Sequence, residues 1–344
     1  MARSPFWTGS VLALLSAAAF GATLPFIQRI AHAMGPFTTA SLLYAGAAVA
    51  SLAPSPKDGR VERSHLLRLI GVAAAGAVVA PVALSWGLQR TGSMSASLVL
   101  NFEALFTVLL ARALFKEPIG WRVGVAIGLM LTSGALLATQ ASGNRAVGIA
   151  GLLAVVVATL AWAVDNTLTR PLAQLDPVRV VLWKGSIGAA VTLTMALVRQ
   201  EPPPRWTAAG ALLLCGASGY GLSLRLYLLA QRRIGAGRTG SLFAVAPFVG
   251  AAIAWLFGER VVGGATLFAS VLLAIAIYLH LTEKHGHLHA HEEMDHDHAH
   301  RHDDAHHDHA HDPPTVGEHR HPHHHEPQTH AHEHAPEVHH THRH

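Results

Sequence analysis

The feature that most constrains this chain is a stretch that occurs twice. Ser97 to Glu117, SLVLNFEALFTVLLARALFKE, is matched by Ser241 to Glu259, SLFAVAPFVGAAIAWLFGE, with Glu103-Ala104 over Ala246-Pro247 and one gap before the closing glutamate. Each copy opens on small residues, stays apolar for a helix length and stops at a charged turn, and another apolar segment follows. A repeat this long is not a solenoid period. It divides the chain into two homologous halves, the construction of many secondary transporters.

A bilayer-spanning helix needs about 20 mostly apolar residues. Ten segments qualify: 9–30, 36–53, 66–88, 94–114, 120–139, 148–168, 178–198, 208–230, 236–257 and 262–281. The first, Ala-rich and preceded by Arg3, has the look of a signal peptide, but a five-helix half needs it as a span. The predicted fold is an all-α membrane protein of ten transmembrane helices in two inverted five-helix repeats. The repeats take residues 1–143 and 144–284, and residues 285–344 form a histidine-rich tail. An odd number of crossings inverts one half against the other and puts a binding site at their interface, near the bilayer midplane.

Charge separates the tail from the rest. Residues 285–344 hold 24 of the 27 histidines and 12 of the 21 acids, leaving 22 Lys/Arg against 9 Asp/Glu elsewhere. With the N-terminus inside, the cytoplasmic segments carry 13 bases, Arg3 to Arg238, and the opposite side six: Arg29, Arg90, Arg145, Arg199, Arg205 and Arg260. The positive-inside rule then places both termini in the cytoplasm and the protein in the cytoplasmic membrane. The basic balance is that of membrane flanks, so the expected partners are lipid and a small solute or ion, with no nucleic acid. Cys215 is the only cysteine, which excludes an intrachain disulfide. Oligomeric state is not readable.

Charged residues inside spans are functional candidates, because each costs at least ~2.5–3.5 kcal/mol at a helix centre. Glu103 lies nine residues before Arg112, about 13 Å from that membrane face. A carboxylate there suits proton coupling or cation binding. Asn101 is close in sequence but about 200° round the helix. Asp165, Asn166, Lys184 and Arg225 form a second set towards the cytoplasmic ends of spans six to eight, with Lys184 or Arg225 as an ion-pair partner for Asp165. The bland alternative is that Lys184 and Arg225 snorkel to the interface. Trp86, Trp162, Trp183 and Tyr227 are available either to line a cavity or to anchor spans at the interface.

The ten-span duplication resembles the EamA family of the drug/metabolite transporter superfamily over residues 1–284. The segments LAWAVDNTLTRPL at 160–172, WKGSIG at 183–188 and GRTGSLFAVAPF at 237–248 resemble one subgroup, some of whose members carry histidine-rich C-terminal tails. The resemblance implies transport by alternating access and no enzymatic activity. Ala104 departs from it, standing where a proline is common, so a kink is expected in the second repeat, at Pro247, and not in the first.

The tail, beginning HGHLHAHEEMDHDHAHRHDDAHHDHAHD, has no apolar periodicity, and its composition predicts disorder. Imidazole binds Zn²⁺, Ni²⁺ and Co²⁺, and His-x-His runs with adjacent acids supply several ligands at once. The candidate metal ligands are His285, His287, His289, His291, His296, His298, His300, His302, His306, His307, His309, His311, His319, His321, His323, His324 and His325. The competing reading is a pH-responsive tail. Its side chains sum to −9 with histidines neutral and +15 with all protonated, a swing centred near pH 6.5.

No Walker motif, dinucleotide-binding glycine fingerprint, HExxH or nucleophile elbow stands in context. No cofactor is required, and a gradient must drive any transport. Three functions stay open. One is a solute exporter, with divalent metal as cargo and Asn101, Glu103 and Asp165 as oxygen ligands. Another is an amino-acid or metabolite exporter whose tail senses metal or pH. The third is a membrane-anchored metal buffer or sensor.

Overall fold

The computed structural model describes residues 5–32, 34–52, 63–115, 121–139, 145–169, 176–234, 236–258, 263–281, 285–291, 294–300, 319–325 and 328–334. Fourteen helices run in order: α1 (Pro5–Ala31), α2 (Pro36–Ala50), α3 (Arg63–Ala73), α4 (Ala80–Leu88), α5 (Ser93–Val99), α6 (Phe102–Phe115), α7 (Trp121–Thr139), α8 (Arg145–Thr169), α9 (Pro177–Val198), α10 (Trp206–Cys215), α11 (Ser223–Ile234), α12 (Ala236–Phe243), α13 (Ala246–Leu256) and α14 (Gly264–Leu281). Among the described residues seven helical runs are long and apolar enough to cross a membrane, and Pro36–Ala50, Ala246–Leu256 and Gly264–Leu279 are shorter apolar helices. Large apolar side chains such as Leu15, Leu153, Leu197 and Leu267 cover the outside, as lipid contact requires, while Leu24, Leu43, Leu84, Leu98, Leu212 and Leu273 are buried.

The two repeats follow one plan. Helices α1, α2, α3–α4, α5–α6 and α7 correspond to α8, α9, α10–α11, α12–α13 and α14, and the packing obeys the correspondence. α2 lies on α9 and α7 on α14, while α1 lies on α11 and α13 as α8 lies on α4 and α6. The first helix of each repeat is therefore docked on the other repeat. Ser16 and Ser223 pin one such contact, each hydroxyl donating to the other residue's carbonyl at 2.7 and 2.9 Å. Glycines permit the closeness. A Cβ on Gly46 would run into the Leu213 carbonyl of α10, and one on Gly216 into the Leu43 carbonyl of α2.

The third rod of each repeat carries a π-helical stretch, Ala74–Val79 between α3 and α4 and Gly216–Leu222 between α10 and α11. The fourth rod of each is broken, at Leu100-Asn101 and at Ala244-Val245. Pro247, in the first turn of α13, accounts for the second break. The first needs no proline, which corrects the expectation of a kink in one repeat only. There the Asn101 side chain donates to the Leu98 carbonyl at 3.1 Å, which the Asn101 amide also takes at 3.2 Å, a tight i→i−3 turn that ends α5.

The ends of α1, α4, α9 and α13 share one face, here the distal face, where Gln28 meets Leu88, Arg29 meets Phe257 and Glu201 meets Thr38, and the opposite face is the proximal one. The distal face is tied shut. Gln28 donates to the carbonyls of Leu88 (3.3 Å) and Thr91 (2.9 Å), and Gln89 to those of Ala31 (3.1 Å) and Met34 (2.9 Å). After α9, Gln200 takes a left-handed φ of 52°. Glu201 then accepts hydrogen bonds from the Phe37 amide (3.2 Å) and from the Thr38 amide and hydroxyl (both 2.7 Å), capping α2 across the repeats.

The tail forms a second compact unit. Within it four segments are extended and paired: β1 (His285–His291) antiparallel to β4 (Gln328–His334), and β2 (Met294–His300) antiparallel to β3 (His319–His325). The register sets histidine opposite histidine at 285–334, 287–332, 289–330, 296–323, 298–321 and 300–319. His302, His306, His307, His309 and His311 lie outside the described residues.

Candidate substrate cavity between the repeats

Four sequence candidates meet at the proximal end of α8: Asp165 and Asn166 of α8 itself, Lys184 of α9 and Glu103 of α6. Asp165 and Asn166 are consecutive, so they leave α8 about 100° apart. Asp165 turns to α9 and accepts from the Lys184 ammonium in an ion pair whose members are 2 % and 4 % exposed. Asn166 turns to α6, where its amide donates to Glu103 Oε1 at 2.5 Å. Thr169, one turn beyond Asp165, donates its hydroxyl to Oδ1 at 3.4 Å. Of the two cations open to Asp165, Lys184 is the partner. The Arg225 side chain is exposed on α11 and outside the cavity, because two faces of a helix at one depth have opposite surroundings.

Asp165 has room because residue 76 is glycine, and a Cβ there would overlap the carboxylate. The π-helical stretch also turns the Gly76 carbonyl to side chains, so that it accepts from the Tyr44 hydroxyl and from Trp162 Nε1 at 3.2 Å. A side chain or an irregular turn that frees a carbonyl in this way is a feature of functional sites in helices. The other repeat reproduces the arrangement with different chemistry: Gly219, in the second π-helical stretch, faces Thr23 of α1.

Around these groups lies a cavity of about 70 Å³, lined by Phe20, Tyr44, Glu103, Trp162, Asp165, Asn166, Lys184, Tyr220, Ser223, Tyr227 and Phe243 among others. Phe20 stands at its centre, its ring 5.6 Å from Trp162, 5.6 Å from Tyr220 and 5.7 Å from Phe243. A smaller recess of about 10 Å³, with Thr169 and Gln231 in its wall, adjoins it towards the proximal face. Glu103 sits in the first turn of α6, where the helix dipole favours a negative group, and has no ion-pair partner among the described residues. Asn101, at the break before α6, is buried, with its Oδ1 unpartnered, and stands outside the cavity.

Of the tryptophans and tyrosines singled out by sequence, Trp162 and Tyr227 line the cavity. Trp183 is 49 % exposed, and Trp86 lies beneath the Arg90 guanidinium at 3.7 Å. Phe20, Tyr44, Tyr220 and Phe243 escaped the sequence reading. An aromatic residue in an apolar span carries no mark of facing inward, and only the glycine-rich context of Tyr220 sets it apart. Among the described residues no three His, Cys, Asp or Glu side chains come together as a metal site would require.

A lipid-facing bundle of paired five-helix repeats, with a polar cavity where they cross, defines a membrane transporter. The family comparison is specific: the chain belongs to the EamA-like transporter family, whose model matches twice, over residues 7–139 and 149–282. Members of that family are transporters, and the chain is not an enzyme. A transporter of undescribed substrate from Methanothermobacter thermautotrophicus is 29% identical over 206 residues, 58% of this chain and 60% of that protein. One from Synechocystis is 31% identical over 140 residues, 35% of this chain and 41% of that protein. A chloroplastic WAT1-related protein of Arabidopsis thaliana is 23% identical over 210 residues, 57% of this chain and 50% of that protein. The matches thus span less than two thirds of these relatives' own length. One crystal structure superimposes with a TM-score of 0.56 at 17% identity, over 82% of this chain and 99% of the other, which speaks for the fold alone.

Proposed function

We propose that the chain exports a small organic solute across the cytoplasmic membrane by alternating access, with both termini in the cytoplasm and the tail acting as a metal- or pH-responsive element. The observation that carries this reading is the cavity between the repeats, tied shut on the distal face and reaching the last turn of α8 on the proximal one. Its aromatic wall and a Glu103 carboxylate without an ion-pair partner among the described residues suit an organic molecule. The excess of bases at the proximal face supports its being cytoplasmic. Residues 1–143, 144–284 and 285–344 serve as first repeat, second repeat and tail in this reading.

Divalent metal as cargo is the second reading, and the tail favours it. Histidine opposes histidine at six positions of the register, and imidazole pairs bind Zn²⁺, Ni²⁺ and Co²⁺. The helical unit offers that cargo little, since Asp165 is already paired with Lys184.

The test is flux in proteoliposomes under a proton gradient, with a panel of small amines and amino acids beside Zn²⁺, Ni²⁺ and Co²⁺. Wild type, Glu103→Gln and a truncation after Lys284 run together. Organic flux that falls at least tenfold in Glu103→Gln and persists in the truncation supports the proposal. Metal flux lost in Glu103→Gln would move the assignment to metal, and no flux of any solute from correctly inserted protein would end both.

A further inference from the structure

One polar atom in the cavity has no use in the account so far. Tyr220, in the π-helical stretch Gly216–Leu222, is 5 % exposed and lines the cavity, and its hydroxyl has no hydrogen-bond partner among the described residues. Buried polar atoms are nearly always satisfied, and an exception asks for a cause. The neighbouring tyrosine shows the contrast. Tyr44, its ring 5.4 Å away, spends its hydroxyl on the Gly76 carbonyl, so that ring is held as structure. The Tyr220 ring is held from the side, by edge contacts to Phe20 and Tyr44, and the hydroxyl adds nothing to that packing.

The charge in the cavity is also uneven. Lys184 is paired with Asp165, which leaves Glu103 as a carboxylate with a neutral amide donor and, among the described residues, no cation. Rings of Phe20, Trp162, Tyr227 and Phe243 stand in the same wall, and aromatic faces attract cations where water is scarce. A ligand that satisfies both features has an ammonium group for Glu103 and a separate hydroxyl or carbonyl for Tyr220.

We infer that Tyr220 is a ligand-contacting, specificity-determining residue of this cavity, its hydroxyl bonding a polar group of an organic ammonium whose charged end is held by Glu103. This rests on the transport reading for the purpose of the cavity, but the binding geometry can be tested apart from flux. A site built to bond a polar group discriminates strongly against the analogue that lacks it. Tyr220→Phe keeps the ring and removes only the unpartnered oxygen.

The experiment measures equilibrium binding of phenethylamine, tyramine and octopamine to purified full-length protein by calorimetry, in wild type, Tyr220→Phe and Glu103→Gln. Thermal unfolding of the ligand-free proteins runs alongside. Expected are a hydroxylated amine that binds wild type at least tenfold more tightly than phenethylamine, collapse of that preference in Tyr220→Phe, and loss of all three amines in Glu103→Gln. Ligand-free Tyr220→Phe should melt at or above wild type.

Three results would overturn the inference: no amine bound by wild type, a preference untouched by Tyr220→Phe, or a Tm several degrees lower in Tyr220→Phe, which would give the hydroxyl a structural partner. The same amines loaded into proteoliposomes separate the two claims. Binding without flux would sink the transport reading and leave the site. Flux indifferent to Tyr220→Phe would sink the site and leave transport.

Discussion

The two repeats share a backbone and differ in chemistry. In both, a glycine in the third rod's π-helical stretch lets the first helix of the other repeat come close, but the residue that arrives is Asp165 at Gly76 and Thr23 at Gly219. In both, the fourth rod breaks within one residue of the same point of the repeat, but the helix that follows begins Phe102-Glu103 in one and Ala246-Pro247 in the other. Duplication supplied the frame, and a few divergent positions placed every intramembrane charge of the cavity on one side of the crossing. An exactly symmetric protein would have two equal sites. This one has a single polar site, approached from the proximal face and opposed by the neutral glutamine ties of the distal face.

The comparison can be broken most severely at the ion pair. Lys184→Met leaves Asp165 buried without a cation and is expected to cost ~3–5 kcal/mol, read as loss of the monodisperse protein or a large fall in Tm. Adding Asp165→Asn should recover most of that loss, because a neutral pair carries no such penalty. Recovery failing in the double variant would mean that the charge itself organises α8 against α9.

Thr23→Asp asks whether the first helix of the first repeat tolerates the charge that Asp165 carries on the first helix of the second. Thr23 is 6 % exposed and its hydroxyl is used by the Phe20 carbonyl at 2.7 Å. With no lysine to meet it, a carboxylate there should destabilise by a few kcal/mol, measured as a fall in Tm that shrinks at low pH as the carboxylate protonates. An unchanged Tm would show that the two glycine sites are less alike than their packing.

Smaller effects belong to the distal ties. Glu201→Ala removes the cap of α2 and should cost ~1–2 kcal/mol, and Gln28→Leu about 1 kcal/mol. Both weaken only the closed distal face, so each should also speed labelling of cysteines introduced beside Ala31 relative to the same cysteines in the parent. Equal labelling would deny these contacts any part in closure. Least affected of all should be flux in the truncation after Lys284, since the tail is a separate compact unit.

Much of this frame is legible in the sequence, because hydropathy and length define spans regardless of their partners. Glu103 and Asp165 stand out for a related reason: a charge in an apolar run is conspicuous. What the sequence does not give is direction. Arg225 and Lys184 look alike as cations near span ends, yet one faces outward and the other is buried. Phe20 and Tyr220 are hidden among residues that would be equally at home against lipid. The π-helical stretch Gly216–Leu222 and the break at Asn101 are not legible, because no proline announces them, and Pro81, two residues beyond the first π-helical stretch, marks an interruption there without giving its type. The Glu201 clasp was missed because Pro202-Pro203-Pro204 reads as a stiff turn, and nothing local tells that the residue before it reaches the start of α2.

The docking of α1 on the opposite repeat has a consequence for how the protein is made. α1 leaves the ribosome long before its partners α11 and α13, and the Ser16–Ser223 contact closes a separation of 207 residues. Until then α1 must wait in lipid with its seat unbuilt, and the first repeat cannot reach its final shape on its own. The cavity thus waits for α11 and α13 to reach back to α1, so that a protein stalled before α11 holds all the residues of Glu103's repeat and still has no cavity.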